Sequence, residues 1–278
     1  MTRERDPGQW WSEAWSPVTG CTPAGAGCDH CWARAMVRRF PALHLRPPLV
    51  LDRPEPGPEY AAPFSTVVCH PDRLEKPLHW RKPRVVLVSM LGDLFHEQVP
   101  GRFAVQCLRA MAAAQQHVYC VLTKRPRRAV EFMADIAGYY TVEGPLSERS
   151  VFHRLYFMAS VWDQASADVA CAAFATLPAG VRWGLHCEPL LGPIVLEQRV
   201  ALNAHQAAYA GLSWVVVGGE NGPGARPMDP QWALDLREQC KAAGVKFWFK
   251  GWGRWLRYCP LPYSAEVDPM EQTREVPW

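Results

Sequence analysis

The chain has 278 residues, 49% apolar and 21% charged, an ordinary globular balance that can fill one large α/β domain. A net charge of +3 is too mild to assert nucleic-acid binding by itself. No apolar run reaches the length of a membrane span, and Met1 to Asp6 form no apolar signal segment, so a cytoplasmic location is expected.

In chain order the first informative stretch is residues 15–34, which hold Cys21, Cys28 and Cys31 in a C-x6-C-x2-C spacing with no fourth cysteine nearby. Gly20, Gly25 and Gly27 let the backbone turn around a bulky group, and Pro17 and Pro23 stiffen the approach. A four-iron cluster takes one thiolate per iron, so three thiolates leave one iron open to a small molecule. Structural metal sites close with four ligands. Three clustered cysteines therefore point to catalysis more than to scaffolding. Zinc held by these cysteines and a distant histidine such as His70 or His186, a redox CxxC, and inert thiols are the alternatives. After Cys31 the steps between Trp32, Ala35, Met36 and Phe40 predict a helix, with Arg34, Arg38 and Arg39 on its polar side and Asp29 placed as its N-cap.

Residues 41–83 are proline-rich and read as an irregular insertion with a short strand at Thr66–Cys69. Beyond them strands and helices alternate. Strands are predicted at Val85–Ser89, His117–Thr123, Arg154–Val161, Val181–Cys187, Leu212–Gly218 and Lys246–Lys250. Helices are predicted at about 103–114, 127–137, 165–176 and 230–243, with a polar connection over 138–152. Trp10 to Trp15 is not a clean strand run. The alternation implies an α/β fold with a parallel sheet, a partial or full barrel, as a single domain over residues 1–278. The cysteines at 69, 107, 120, 171, 187, 240 and 259 read mostly as small core residues.

Polar residues gather at the strand ends. Ser89 and Asp93 follow one strand, Thr123-Lys124-Arg125 the next, and Ser160, Asp163 and Gln164 a third. His186 and Glu188, then Gly218-Gly219-Glu220, then Lys250 complete the set. In a parallel barrel the carboxyl ends of the strands carry the active site. A rim ion-pair network is the competing reading for Glu188, Glu220, Lys124 and Lys250. The basic bunches Lys124 to Arg128 and Arg34, Arg38, Arg39 are either a solvated face or a phosphate-contacting patch.

Six segments occur in order from residue 15 to about 253: Trp15 to Cys31, Ser89 to Glu97, Val121 to Pro126, Glu188 to Pro193, Gly218 to Met228 and Ala243 to Lys250. Together they resemble a phage- and bacterium-associated family of three-cysteine proteins that is similar to radical S-adenosylmethionine (radical SAM) enzymes. The resemblance implies a partial TIM-type barrel with the cluster loop after its first strand, although that family type usually spaces its first two cysteines by three residues. It further implies that Cys21, Cys28 and Cys31 bind a 4Fe-4S cluster whose open iron takes S-adenosyl-L-methionine. His30 falls near the expected place of the adenine. Ser89, Met90, Gly218 and Gly219 are candidates for the SAM amino acid and adenine, with Asp93 beside them, and Ser160, Asp163 or Gln164 for the ribose. Glu188, Lys124, Glu220 and Lys250 are left for substrate or proton handling. The implied reaction needs an external electron donor. The implied substrate is a nucleic acid, DNA carrying a modified pyrimidine, in the host cytoplasm if the protein is phage-encoded. A zinc- or iron–sulfur-stabilised nucleic-acid-binding or repair protein without SAM chemistry is the alternative.

Overall fold

The computed structural model describes residues 8–44, 63–140, 154–177, 181–196, 211–254 and 274–276. The helices and strands begin with β1 (Glu13–Trp15), β2 (Val18–Thr19), α1 (Trp32–Arg39), β3 (Val68–Cys69), β4 (Val85–Val88), α2 (Gly101–Ala113) and β5 (Val118–Thr123). They continue with α3 (Pro126–Tyr140), β6 (Leu155–Val161), α4 (Gln164–Phe174), β7 (Arg182–Cys187), β8 (Leu212–Gly218), α5 (Pro230–Ala243) and β9 (Lys246–Gly251). Seven strands form one parallel sheet in the order β1-β4-β5-β6-β7-β8-β9, which is chain order. Each new strand adds to the same edge, so the sheet coils progressively into a half-barrel whose end strands, β1 and β9, are not paired to each other.

The expected strands all appear, because buried parallel strands read as continuous apolar runs. Every residue of β6 is buried. The sheet has one strand more than expected: the three residues of β1 pair in parallel with β4, and Trp15 is fully buried there. β2 and β3 form a small antiparallel ladder beside it. The connection expected over 138–152 starts later, because α3 runs on to Tyr140. Residues 45–62 of the insertion, the connection at 141–153 and Cys259 lie outside the described residues.

Local chemistry sets the helix ends. Asp163 and Ser166 form a reciprocal capping box on α4. α5 starts at the Asp229 cap followed by Pro230 and stops at Gly244, whose φ of 67° is the left-handed conformation that glycine adopts freely. α2 to α5 pack on one face of the sheet around Phe103, Met111, Met133, Phe174 and Leu236.

The face without helices is the inside of the half-barrel. Strand alternation places Leu87, Cys120, Tyr156, Met158, Trp214 and Val216 on it. The chain fills this face with its own N-terminal segment. Trp10 packs edge-on against Trp214, ring centroids 4.8 Å apart, and the Trp248 indole donates to the Gly8 carbonyl at 3.0 Å. Gly184 makes room at the middle layer. A methyl group there would sit 2.5 Å from the Trp214 carbonyl and 2.7 Å from the Met158 sulfur. Gly184→Ala is therefore expected to destabilise the protein by roughly 1–3 kcal/mol through overpacking. Gly101→Ala, at the open first turn of α2 with nothing nearby, is expected to be neutral or stabilising by up to about 1 kcal/mol. Urea-denaturation midpoints of the two variants check both signs.

Candidate functional site

The three cysteines lie on one loop that runs from the end of β2 to the start of α1. Gly20, at φ 81°, turns the chain beneath Thr66 and bridges to Gly92 past the end of β4. Cys21 is half-buried, Cys28 is buried in a 3-10 turn over Ala26–Cys28, and Cys31 is half-buried at the N-cap of α1. Asp29 is thus not the cap that its position suggests. It stands two residues before the N-cap, Cys31, and its carboxylate instead meets Arg226 at 3.0 Å. The buried residues of α1 are Ala33 and Val37, and Trp32, Ala35 and Phe40 are exposed. Of the expected apolar face only Met36 is half-buried, because the helix is turned so that Ala33 and Val37 are its buried residues.

The loop is fixed at three strand ends. At the first, Arg125 just beyond β5 lays its guanidinium under Cys21 and Thr22. Nη1 donates to the Cys21 sulfur at 3.4 Å and Nη2 to the Thr22 carbonyl and hydroxyl at 3.2 and 3.0 Å. At the second, Trp162 after β6 packs flat on Gly25 and Gly27, where a methyl group would come within 2.3 and 2.7 Å of the ring. That contact, as much as any turn around a cofactor, requires glycine at both positions. At the third, Glu220 after β8 accepts from His30 Nδ1 at 2.9 Å and from Arg226 through its backbone N–H, Nε and Nη2. Arg226 also donates to the Ala26 carbonyl at 2.8 Å. Burial alone would raise the Glu220 carboxyl, but the bonds from Arg226 and His30 outweigh it and hold it at about 2.

Arg125 belongs to the basic run expected to be either a solvated face or a phosphate-contacting patch, and for this residue the structure shows neither. It is only 9% exposed, and its Nε meets Glu97 at 2.9 Å while Nη1 meets Asp93 at 3.3 Å. Arg127 and Arg128 are the exposed members of the run. Asp93 accepts from the Thr123 hydroxyl, the Phe95 and Lys124 amides and Arg125. Its four acceptor directions are taken within the chain, which makes it a brace between β4, β5 and the loop.

On the inner face, alternation brings the other expected residues to the top layer. Lys124 Nζ donates to Ser160 Oγ at 2.6 Å. Lys250 Nζ meets both oxygens of Glu188 at 2.6 Å and stands 5.2 Å over the Trp11 ring. Gly218 leaves the space that these two side chains occupy. Burial would raise the Glu188 carboxyl, but Lys250 and then His186 keep it below the usual carboxylate range. His186 sits 3.5 Å from Glu188, and burial lowers its pKa to about 4, so the ring is neutral. Its Nδ1 is buried with no hydrogen-bond partner among the described residues, and so is the Ser89 hydroxyl. Ser89 holds a φ of 63°, unusual for a residue with a side chain. Both orphan atoms point to a site that accepts a polar ligand group.

Other expected residues are placed differently. Asp163 caps α4, and the Gln164 amide holds Val195 through two bonds, so both side chains are engaged within the chain. Met90 packs under the inner-face core, and Gly219 lies where a methyl group would strike the Trp252 carbonyl. Trp162, Arg125, Arg226 and the Trp10–Trp11 pair stand around the candidate site in places that sequence reasoning missed or misplaced. Arg226 left a trace inside the Gly218 to Met228 segment, and Arg125 inside Val121 to Pro126.

Among the described residues no group of three or more His, Cys, Asp or Glu side chains is arranged to hold a metal ion. The donor chemistry of the loop nevertheless fits an iron–sulfur group. Cys21, Cys28 and Cys31 are free thiols, the Ala24 amide donates to the Cys28 sulfur at 3.4 Å, and Arg125 does the same for Cys21. Cys31 stands at the N-cap of α1. As a free thiol Cys21 is pushed up to about 11, by burial and by Asp93, with Arg125 opposing both. Of the histidines considered as zinc ligands, His70 is bound to the Thr19 hydroxyl at 2.7 Å and His186 lies beside Glu188.

Fold and site together define a parallel α/β half-barrel carrying a three-cysteine loop on its carboxyl rim. A family model described as a protein of unknown function, DUF5131, matches residues 7–275, and the chain belongs to that family. No curated protein and no solved structure matches it.

The bonds around Glu220 set one expectation. Arg226→Ala leaves a buried carboxylate short of its main donor and is expected to cost roughly 1–3 kcal/mol. It should also speed iodoacetamide labelling of Cys28. Because the folded pKa of Glu220 lies below its unfolded value, its contribution is complete above the ordinary glutamate pKa and is lost as pH falls toward about 2. Thermal melts from neutral pH downward should show a smaller loss in that acid window for Glu220→Gln than for the parent.

Proposed function

We propose that this protein is a radical SAM enzyme acting on nucleic acid, with Cys21, Cys28 and Cys31 holding a 4Fe-4S cluster. The observation that carries the reading is one arrangement: three free cysteines on a rim loop tied to β5, β6 and β8, beside polar inner-face residues that have unfilled hydrogen-bonding capacity. When bound, such a cluster and its SAM supply reductive cleavage of SAM and hydrogen abstraction from an unreactive carbon, given an electron from an external donor.

The chain's own residues have the remaining tasks. Arg125 and the Ala24 amide orient the sulfurs of Cys21 and Cys28. Ala24 of the loop lines a cavity with Lys124, Ser160 and Trp162, so a ligand at the loop can reach the inner-face polar layer. There Lys124 and Ser160 can hold an anionic or hydroxyl group. Lys250 and Glu188 form a charge pair that can orient a substrate group, with neutral His186 beside it. Ser89 offers an unused hydroxyl at the end of β4, and Gly218 and Gly219 offer backbone close to the same layer. Trp10 and Trp11 close the barrel floor against water. Charge for a nucleic-acid substrate comes from the exposed Arg127 and Arg128 beside Lys124, and a DNA base would have to leave its stack to reach the layer. A modified pyrimidine is the proposed target.

Anaerobic reconstitution with iron and sulfide tests the assignment. The protein is expected to turn brown and, once reduced, to release 5′-deoxyadenosine from SAM. Cys21→Ala, Cys28→Ala and Cys31→Ala should each abolish the colour, while Cys107→Ala and Cys171→Ala, buried in the helix-side core, should keep it. Stoichiometric zinc without iron, or SAM left uncleaved and without effect on the cluster's paramagnetic resonance spectrum, overturns the reading. For the substrate, DNA affinity is expected to fall with salt, with a slope near ~0.9 per phosphate contact, and Arg127→Ala with Arg128→Ala should flatten that slope.

A further inference from the structure

α1 has a surface that the catalytic reading does not use. Its eight residues include three arginines and no carboxylate, and Arg34, Arg38 and Arg39 are all exposed. None of the three makes an ion pair among the described residues. Trp32 is 43% exposed and the C-cap residue Phe40 is 45% exposed, although rings of this size normally bury. Arg39 stacks over the Phe40 ring at 5.2 Å. Seven positions apart, Trp32 and Arg39 fall on one side of the helix, so cations and rings interleave instead of separating onto opposite faces. Between α1 and the cysteine loop lies a cavity of about 480 Å³. Cys21, Val37, Pro41 and Phe64 line it together with Arg34 and Arg38. That volume is within the range of small-ligand pockets, roughly 300–1,000 Å³.

We propose that α1 and this cavity are a docking surface for single-stranded nucleic acid. Trp32 and Phe40 stack on unpaired bases, Arg34, Arg38 and Arg39 meet the backbone phosphates, and one unstacked base enters the cavity against Phe64. Exposed rings gain free energy from a strand whose base faces are open and gain little from a duplex, where those faces are stacked away. Guanidiniums with no ion pair among the described residues match a polyanion. A membrane surface fits less well, since a helix that lies in a bilayer interface segregates its rings from its charges. The proposal rests on the nucleic-acid part of the proposed function and not on its cluster. It places the substrate's entry on the side of the loop where Cys21 forms part of the cavity wall.

Fluorescence anisotropy with the full-length protein, a labelled oligothymidylate and the matching duplex tests it across a salt series. The single strand is expected to bind about tenfold tighter than the duplex. Trp32→Ala and Phe40→Ala should each weaken binding roughly fivefold or more with an unchanged salt slope, and Trp32→Phe should restore it. Arg34→Gln with Arg38→Gln should instead lower the slope by about 1.4, near ~0.7 per single-strand contact. Circular dichroism of each variant should match the parent. Equal affinity for duplex and single strand overturns the proposal, as does indifference to both ring substitutions. Binding to phosphatidylserine vesicles in place of the oligonucleotide overturns it too. Oligonucleotide binding without SAM cleavage would sink the radical assignment alone, and SAM cleavage without oligonucleotide binding would sink this proposal alone.

Discussion

The geometry of the rim depends on one buried charge pair. Asp93 and Arg125 lie at 3% and 9% exposure, where an unpaired charge would cost several kcal/mol. Each therefore has to be satisfied from within the chain, and the donors and acceptors that do this come from different elements. Asp93 draws on Thr123 and on the amides of Phe95 and Lys124, while Arg125 reaches Glu97, Thr22 and Cys21. The ends of β4 and β5 and the start of the cysteine loop cannot shift independently without stranding one of those charges. Cys21 is held in place through that pair, by the Arg125 bond to its sulfur.

The sequence made the fold legible where burial is two-sided. Strands such as Leu155–Val161 are apolar throughout and stand out at once. β1 does not stand out, because three residues with half-buried Glu13 and exposed Ala14 carry almost no pattern, and Trp15 alone marks the buried end. α1 shows a second limit. Spacing tells which residues share a helix face, but not whether anything covers that face. Trp32 and Phe40 follow a core-like rhythm and are 43% and 45% exposed.

The candidate site was legible as a set of residue types and hidden as a set of partners. Cys21, Cys28 and Cys31 and the polar strand ends are visible because they sit together in sequence or recur after each strand. The partners that hold them do not. Arg226 meets Asp29 across 197 residues, and Trp162 reaches Gly25 and Gly27 from another strand. Arg125 looks like part of a basic surface run until its neighbours are placed around it. Charge and ring size can be read from sequence, whereas the choice between solvent, carboxylate and sulfur as a partner is made by the fold.

The distances along the chain also order events in time. His30 bonds Glu220 across 190 residues, and Gly8 bonds Trp248 across 240. During synthesis the thiols emerge from the ribosome long before β8 and β9 exist, and such long-range closures form late. Until then the loop has its glycines but not the Glu220–Arg226 latch that fixes one of its three anchor points. A metal ion or an oxidant arriving in that interval meets an unshaped loop, and one arriving later meets a finished one.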